Sequence, residues 1–221
     1  RNGSRAPAYS SIVAAGDNAC ILHYNENNAE VKEGDLILID AGCEYEHYAS
    51  DITRTFPASG KFTAEQKAIY ELVLNAQSAA IEAIAPGVPW DEPHKISVKI
   101  ITRGLVKLGL LKGRTSQLIK SEAYRDFYMH KVGHWIGMDV HDVGDYKIDD
   151  SWRLMEPGMV TTVEPGIYIS PDNKKVQKKW RGIGVRIEDD VLVNKKGYRI
   201  LSNGIPKTVQ EIESFMAEAA H

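Results

Sequence analysis

The sequence is poor in cysteine and contains no long apolar run. Its 221 residues include two cysteines, Cys20 and Cys43, and no Cys-x-x-Cys pair. A disulfide framework and a cysteine-ligated structural zinc are therefore not expected, and a reducing, cytoplasmic location is the simplest interpretation. No apolar run is long enough to span a bilayer and the N-terminus lacks a signal-peptide pattern, so we expect no association with a membrane.

The chain also lacks an excess of basic charge. Its 27 basic and 30 acidic residues leave a formal net charge of -3. Nucleic acid is not an expected partner, because proteins that bind it usually carry a clustered basic surface. Hydrophobic residues make up 43% of the chain, which is enough for a substantial core.

The first third of the chain predicts short strands. Four apolar or β-branched runs, bounded by turn residues, lie at 11–14, 20–24, 36–40 and 51–56. We expect the last two to pair as antiparallel strands through a hairpin-like connection.

A helical spacing of apolar residues follows these strands. Thr63 and Gln66 form a capping-box pattern at the start of one helix, and Asp91 can cap a second. A loop with some helical content is predicted at 109–121. A second β-rich third follows, with runs at 134–141, 159–164 and 182–193, and a last helix begins near Thr208. The order of strands, helices, strands and a helix indicates an α+β domain, with helices packed on a mostly antiparallel sheet.

Two segments of the chain repeat one spacing. Gly34–Gly42 and Gly158–Gly166 each have glycine, five residues, a carboxylate, one residue and glycine. The carboxylates are Asp40 and Glu164, and a second acid follows each of them, Asp51 or Glu188. We interpret the repeat as two related halves that face each other across a pseudo-twofold axis and donate two carboxylates each.

Four acids close together require a compensating cation. One strand-end carboxylate can bind backbone N–H groups or an arginine, but four neighbouring anions repel one another and raise their own pKa values. Divalent metal ions supply the largest local charge in such sites. For Asp40 we therefore expect a metal ion as partner, and not an arginine.

Three histidines follow in one glycine-containing run. His130, His134 and His141 lie beside Gly133 and Gly137, and glycine permits close approach of a backbone or a substrate. A site of carboxylates with one imidazole suits manganese first, with cobalt, zinc, iron or magnesium as alternatives. Bridging carboxylates allow two divalent metal ions about 3.5–4 Å apart, an arrangement found in aminopeptidases and phosphatases.

Seven runs of the chain match one known family. They are Ala8-Tyr-Ser-Ser-Ile-Val-Ala14, Cys20-Ile-Leu-His-Tyr24, Leu38-Ile-Asp-Ala-Gly-Cys-Glu-Tyr45, Asp51-Ile-Thr-Arg-Thr-Phe-Pro57, His134 to Gly144, Thr162-Val-Glu-Pro-Gly-Ile-Tyr168 and Arg181-Gly-Ile-Gly-Val-Arg-Ile-Glu-Asp-Asp190. Through these runs nearly the whole chain resembles the metallopeptidases with the pita-bread fold, family M24, and among them the bacterial Xaa-Pro aminopeptidases. The resemblance implies two pseudo-symmetric halves with a curved, mostly antiparallel sheet backed by helices.

The resemblance also implies a dinuclear metal site. Its five expected metal ligands are Asp40, Asp51, His134, Glu164 and Glu188. Asp51 and Glu188 would bridge the two metals, Asp40 would hold one of them, and His134 with Glu164 would hold the other.

Further roles follow from the same resemblance. Glu164 is expected to handle the proton of the attacking water, and His141 to stabilise the tetrahedral intermediate. His23, His130 and Arg186 are expected to shape the pocket for the residue after the scissile bond. The implied activity is hydrolysis of the bond between an N-terminal residue and a following proline, so the expected partners are peptides with proline in second position.

Three alternatives stay open at this point. A prolidase acts on Xaa-Pro dipeptides and would need a cation for the free carboxylate. A methionine aminopeptidase uses the same five ligands, although the run Asp51–Pro57 resembles it less. The third alternative is an inactive family member that serves as a binding module; relatives such as creatinase have lost metal ligands.

Two features depart from the family pattern. Lys131 stands where the family usually has glycine after the first histidine of the run, which makes His130 the least secure assignment. The chain also begins in mid-pattern, so we expect residues 1–221 to be a catalytic domain without its first helices and N-terminal domain. A homo-oligomer, or association with that missing domain, would then be expected.

Overall fold

The structure is a computed structural model that describes residues 3–219. The described residues form four α-helices and thirteen short strands. The helices are α1 (Ala64–Glu82), α2 (Glu92–Lys107), α3 (Thr115–Lys120) and α4 (Val209–Ala219). The strands are β1 (Ala6–Pro7), β2 (Ile12–Ala15), β3 (Leu36–Asp40), β4 (Cys43–Tyr45), β5 (Tyr48–Ala49), β6 (Thr53–Pro57), β7 (Lys147–Ile148), β8 (Ser151–Trp152), β9 (Val160–Val163), β10 (Gly166–Ile169), β11 (Ile183–Arg186), β12 (Asp189–Asn194) and β13 (Gly197–Ile200).

The first half of the fold is built on a sheet with the order β2-β3-β6, and both of its pairings are antiparallel. The strand predicted at 36–40 is confirmed, and Leu36, Leu38 and Asp40 alternate with less buried residues. The predicted partner strand begins two residues later than expected, so Asp51 lies on the segment that leads into β6. The last residue of β3 therefore faces the start of β6.

The strand predicted at 20–24 is wrong. Residues Gly16–Cys20 form a 3-10 helix, and no regular element follows it before β3. Gly16 adopts a φ of 57°, which turns the chain away from an extended path. Ile21 and His23 are exposed, whereas Tyr24 packs in a small core cluster with Ile12 and Leu38, so side-chain packing rather than strand pairing holds this segment.

The second half contains a sheet with the order β13-β12-β9 and the separate antiparallel pair β10–β11. The single run predicted at 182–193 is in fact two strands. It breaks at Ile187 and Glu188, because β11 pairs with β10 whereas β12 pairs with β9 and β13. Glu188 therefore lies at the junction of two sheets rather than within one.

The predicted β-run at 134–141 is also wrong. In this segment Trp135 alone bridges to Thr161. A Cβ atom on Gly133 would overlap the carbonyl oxygen of Thr162, so this glycine is needed for a close backbone approach. Residues 132–136 run beside β9 and share backbone hydrogen bonds with Val160, Thr162 and Glu164, but residues 137–141 do not continue this pairing.

The helices cover one side of the strands. The capping box of α1 is confirmed, with Thr63 and Gln66 bonding each other's backbone N–H. Asp91 precedes α2 as expected but makes no side-chain cap; it pairs instead with Lys95. The loop predicted at 109–121 contains α3, and the last helix begins one residue after Thr208. None of these four helices is long and apolar enough to cross a membrane.

The largest core cluster lies between the helices and the second half. Ile69 and Val73 of α1 pack with Ile101 of α2, and Ile167 and Val185 extend this cluster into β10 and β11. All five side chains have 0% exposure. Burial of this apolar face holds the helices on the sheet at about 25 cal/mol per Å² of apolar surface.

A buried polar network around Arg54 joins the two halves. The Arg54 guanidinium donates to the backbone oxygens of Thr53 and Glu188 and forms an ion pair of 2.8 Å with Asp189. Asp189 has a fully buried carboxylate that also binds Lys207 at 2.7 Å. The Glu188 N–H donates to the Thr53 oxygen at 3.0 Å, so Arg54 fixes two backbone segments that each carry a predicted metal ligand.

Replacing Arg54 by methionine should destabilise the fold strongly. The change leaves the Asp189 carboxylate buried with half of its charge compensation removed, and breaking a buried pair typically costs about 3–5 kcal/mol. Urea unfolding of the metal-free protein measures this loss. The matched control is Lys175→Met, which breaks an exposed 3.3 Å pair with Asp126 and should cost less than about 1 kcal/mol. Equal losses in the two variants would contradict the network's role.

Candidate metal centre

A cavity of about 520 Å³ receives residues from both halves of the fold. It is lined by all nine site residues predicted from the sequence, namely His23, Asp40, Asp51, His130, His134, His141, Glu164, Arg186 and Glu188. The rest of its wall consists of Leu22, Trp90, Lys131, Gly133, Tyr146 and Trp152. The predicted residues are thus brought together in one place.

Three of the expected ligands form the centre of this cavity. Asp51, His134 and Glu188 each bring one potential ligand atom within 4.8 Å of the others. The Nε2 atom of His134 lies 3.4 Å from Asp51 Oδ2 and 3.5 Å from Glu164 Oε1. These separations suit ligands that share one ion, since metal–ligand bonds are about 2.0–2.2 Å long.

Local hydrogen bonds hold these side chains in place. The Nδ1 atom of His134 lies 3.0 Å from the Trp135 carbonyl oxygen, which makes Nδ1 the donor and leaves the Nε2 lone pair facing the carboxylates. Glu188 accepts a 2.6 Å hydrogen bond from the Thr53 hydroxyl. The backbone N–H of Asp51 donates to Asp190 at 3.1 Å.

Asp40 has an arginine as partner, so the expectation that it has none is wrong. Arg186 donates from Nη2 to Asp40 Oδ2 at 2.7 Å, and its own side chain is 4% exposed. The Tyr9 hydroxyl lies 2.5 Å from Oδ1 of both Asp40 and Asp51. Burial and these two carboxylates raise the pKa of Tyr9, so the phenol stays protonated and donates.

The cavity holds more negative charge than these contacts compensate. Burial raises the pKa of Glu188 well above its ordinary value, and the charges of Asp51, Glu164 and Asp40 raise it further. Burial also raises the pKa of Glu164 to about 7, against the opposing charges of His134 and Arg186. These shifts mean that added positive charge in the cavity would be strongly favoured.

The pKa of His134 moves in the direction expected beside anions. Burial lowers it, but the hydrogen bond to Asp51 and the charge of Glu164 outweigh burial, so the pKa of His134 is raised. The pKa of Asp51 is lowered, because hydrogen bonds from His134 and Tyr9 outweigh the effect of burial. The His134 imidazole thus compensates part of the negative charge of the carboxylates.

A hydrogen-bonded chain connects Arg186 to His130. Arg186 Nη1 donates to the Tyr168 hydroxyl at 3.1 Å, and that hydroxyl lies 2.9 Å from His130 Nε2. His130 Nδ1 lies 2.7 Å from the Lys131 carbonyl oxygen. Because a carbonyl only accepts, Nδ1 carries the proton and Nε2 accepts from Tyr168. Burial lowers the pKa of His130 to about 3, so the ring is neutral.

The other two predicted histidines keep free ring edges. His141 and His23 are exposed at the cavity, and the His141 ring lies 4.2 Å from the His134 ring at an angle of 73°. The carboxylates of the cavity are therefore more buried than the imidazoles of His23 and His141.

Sequence reasoning missed several residues that support the site. Tyr9, Thr53, Tyr168 and Asp190 were given no role, although all four hold a predicted site residue. Thr53 and Asp190 lie two residues beyond Asp51 and Glu188. In extended backbone, residues two apart face the same side, and this spacing could have indicated them.

Four carboxylates and one imidazole form a donor set that fits divalent metal ions. The set contains no sulfur, which favours hard or borderline cations over those that prefer thiolates. The raised pKa values of Glu164 and Glu188 are the electrostatic signature of anions gathered without enough positive charge. The residues present therefore fit the metals expected from the sequence.

A fold and a donor set of this kind define a candidate divalent-metal protein, and comparisons with known proteins give its family. The profile of metallopeptidase family M24 matches residues 1–195. The chain therefore belongs to metallopeptidase family M24, which confirms the family expected from the sequence.

The similar curated proteins include two Xaa-Pro aminopeptidases. The Haemophilus influenzae protein is 55% identical over 216 residues, which are 98% of this chain and 50% of that protein. The Escherichia coli protein is 51% identical over 219 residues, which are 99% of this chain and 49% of that protein. The chain thus spans about half the length of the curated relatives it matches.

Solved structures confirm the pita-bread fold. The aminopeptidase PepP of Pseudomonas aeruginosa superposes with a TM-score of 0.98 at 66% identity, covering 99% of this chain and 49% of that chain. Aminopeptidase P from E. coli with the inhibitor Pro-Leu gives a TM-score of 0.96 at 50% identity, covering 100% of this chain and 50% of that chain.

Replacing Glu188 by glutamine should stabilise the metal-free protein at neutral pH. The raised pKa means that the folded state resists ionisation of Glu188, whereas the unfolded state ionises it above about pH 4.3. The free-energy cost of burying Glu188 is therefore absent at low pH and grows as the pH rises. The increase in the free energy of unfolding on replacement by glutamine should thus be larger at about pH 7.5 than at about pH 5.

The same variant should lose most of the stabilisation that manganese gives. Thermal unfolding with and without Mn²⁺ measures both effects. The control Glu30→Gln changes an exposed glutamate and should keep the full response to Mn²⁺. A Glu188→Gln protein that is stabilised by Mn²⁺ as much as the parent would contradict a ligand role for Glu188.

Proposed function

We propose that this chain is the catalytic domain of a metal-dependent aminopeptidase that cleaves the bond between an N-terminal residue and a following proline. The observation that carries the proposal is the gathering of five potential ligands, four carboxylates and one imidazole, around one cavity. The similarity to curated Xaa-Pro aminopeptidases supports the choice of substrate.

The five ligands divide between two metals in this proposal. Asp51 and Glu188 would bridge them, Asp40 would hold one, and His134 with Glu164 would hold the other. Manganese is the metal we propose first, with cobalt, zinc, iron and magnesium as competitors, because oxygen ligands dominate the set. When bound, such ions act as Lewis acids and lower the pKa of coordinated water.

The protein's own residues would orient the substrate and move the proton. Glu164, whose Oε1 lies 3.5 Å from His134 Nε2, would take up a proton and pass it to the leaving nitrogen. The exposed His141 can donate a hydrogen bond to the oxygen that becomes negative during attack on the carbonyl. Both groups line the same cavity, and each lies near His134.

The proline pocket would be recognised by shape rather than by a backbone hydrogen bond. Proline has no amide N–H, so the residue after the scissile bond offers no such donor. His23 and the ring face of His130 supply packing surface in this proposal. Arg186 would act indirectly. Its guanidinium is bound to Asp40 and Tyr168 and so fixes the positions of these two side chains in the cavity wall.

The alternatives are less well supported. A methionine aminopeptidase would need the same ligands, but the cited relatives are Xaa-Pro aminopeptidases. An inactive binding module is opposed by the complete ligand set. A prolidase remains the closest competitor, and it differs in requiring the free carboxylate of a dipeptide.

We also propose that residues 1–221 act together with further protein. The curated relatives are about twice as long as this chain, so the partner would be an N-terminal domain or a second subunit. The cytoplasm is the proposed location. Cys20 and Cys43 are both free thiols, which is compatible with a reducing compartment.

A substrate panel tests the proposed activity. Protein loaded with Mn²⁺ should release the first residue from Ala-Pro-Leu, cleave Ala-Pro more slowly and leave Met-Ala-Leu intact. Asp51→Asn should lose metal from one or both sites and lower kcat/KM at least about 100-fold, because a neutral amide is a poor bridging ligand. Metal content is measured by elemental analysis. If the Mn²⁺-loaded parent protein cleaves none of these peptides, the proposed activity is wrong.

Replacing His141 by alanine tests the oxyanion role. Removing one donor to a developing oxyanion costs about 10²–10³ in kcat. We expect a loss of that size with little change in KM and unchanged metal content. His47→Ala is the control, since His47 is exposed on the turn between β4 and β5 and does not line the cavity. A His141→Ala loss confined to KM would contradict the role.

A further inference from the structure

Lys131 is a cation at the cavity whose ammonium is not bound by any other described residue. The lining residues include two permanent cations, Arg186 and Lys131. The guanidinium of Arg186 is 4% exposed and bound to Asp40, Tyr168 and Thr53. The ammonium of Lys131 is exposed and makes no ion pair or hydrogen bond with any residue in the part of the chain that the structure describes.

The position of Lys131 is defined by its neighbours. It follows His130 directly, and its carbonyl oxygen accepts the hydrogen bond that orients the His130 ring. Its positive charge helps to lower the pKa of the buried His94 to about 4, after the larger effect of burial. Lys131 lines the cavity and is exposed, so it lies at the cavity's rim, next to His130.

We propose that Lys131 binds the terminal carboxylate of a short peptide, one residue beyond the proline, so that the preferred substrates are Xaa-Pro-Yaa tripeptides with a free C-terminus. The proposal rests on the proposed function and adds the length and charge of the substrate to it. The E. coli relative was solved with the inhibitor Pro-Leu, which is the fragment that cleavage of Xaa-Pro-Leu would release.

The inner wall gives a reason for placing the carboxylate one residue beyond the proline. A dipeptide's carboxylate would lie beside His130 and Tyr168, and neither has a free donor. His130 Nδ1 is bound to the Lys131 carbonyl oxygen, while the Tyr168 hydroxyl proton goes to His130 Nε2. One further residue extends the chain by about 3.3–3.6 Å, toward the exposed rim where Lys131 lies.

Other basic residues near the rim are engaged elsewhere. Lys147 lies over the ring of Trp152, with its ammonium 4.9 Å from the ring centroid. Among the described lining residues, Lys131 is therefore the permanent cation that an anionic substrate end can bind without displacing an existing contact. Exposed ion pairs are weak, so selection by a factor of about two to five is expected, and it should diminish with added salt.

Matched substrates separate this contact from the rest of binding. The Mn²⁺-loaded full chain is assayed with Ala-Pro-Leu and with Ala-Pro-Leu amide, which differ only in the terminal charge. At low ionic strength the ratio of kcat/KM, acid over amide, should be about two to five. In Lys131→Met the ratio should fall to about one, in Lys131→Glu below one, and Lys131→Arg should retain part of the preference.

A second lysine serves as control. Lys174 is exposed on the turn between β10 and β11, at the opposite end of that hairpin from Arg186. Lys174→Met should keep the ratio of the parent protein. Binding of the products Pro-Leu and Pro-Leu amide, measured by calorimetry, should show the same dependence on Lys131.

The outcomes distinguish the two proposals. Cleavage of Ala-Pro-Leu with an unchanged ratio in Lys131→Met overturns the inference and leaves the proposed function standing. A preference that depends on Lys131 only for the dipeptide Ala-Pro also overturns it, because the carboxylate would then be one residue closer. A parent protein that cleaves no peptide overturns both.

Discussion

Repulsion among buried carboxylates is the constraint on which the rest of this structure depends. Asp40, Asp51, Glu164 and Glu188 line one cavity. Gathering them costs free energy through lost hydration and through like-charge repulsion. Arg186 and His134 offset only part of this cost, as the raised pKa values of Glu164 and Glu188 show. The uncompensated charge destabilises the metal-free protein and creates affinity for divalent cations at the same place.

The fold meets this constraint by placing the acids where strands stop. Asp40 is the last residue of β3, Asp51 precedes β6 by two residues, Glu164 follows β9, and Glu188 separates β11 from β12. Strand interiors can then remain apolar and pack the core, while the ends project carboxylates into the cavity. Arg54 donates hydrogen bonds to the backbone oxygens of Thr53 and Glu188 from the buried side. These bonds hold the segments around Asp51 and Glu188 in place against the repulsion between their carboxylates. Ligands held by rigid elements keep their geometry when the charge changes.

Hydrogen bonds connect the proposed metal ligands of the cavity to its proposed substrate pocket. Arg186 bonds Asp40 on one side and Tyr168 on the other, and Tyr168 holds the ring of His130. The ring in turn is fixed by the Lys131 carbonyl oxygen. A substitution at one end of this chain therefore alters the position of groups at the other end. Substrate selectivity and metal affinity are for this reason not expected to vary independently.

The sequence by itself determined the local elements and the residue types of the site. A continuous apolar run identified β3, the capping box identified the start of α1, and the repeated spacing around Asp40 and Glu164 indicated two halves with paired acids. These signals are local, because they depend on side chains within a few positions of one another. The choice of five ligands came from resemblance to a family, since the acids alone left their pairing open.

Only the tertiary structure decided how distant segments meet. Asp40 and Arg186 are 146 positions apart, and no local pattern indicates their ion pair. The run at 134–141 has strand-like composition, yet only its first residues, up to Ile136, hydrogen-bond to β9, and the rest of the run does not pair with it. The break at Glu188 arises because β11 and β12 pair with different partners. Such outcomes are set by contacts and charges between remote parts of the chain, which become neighbours only when the core has formed.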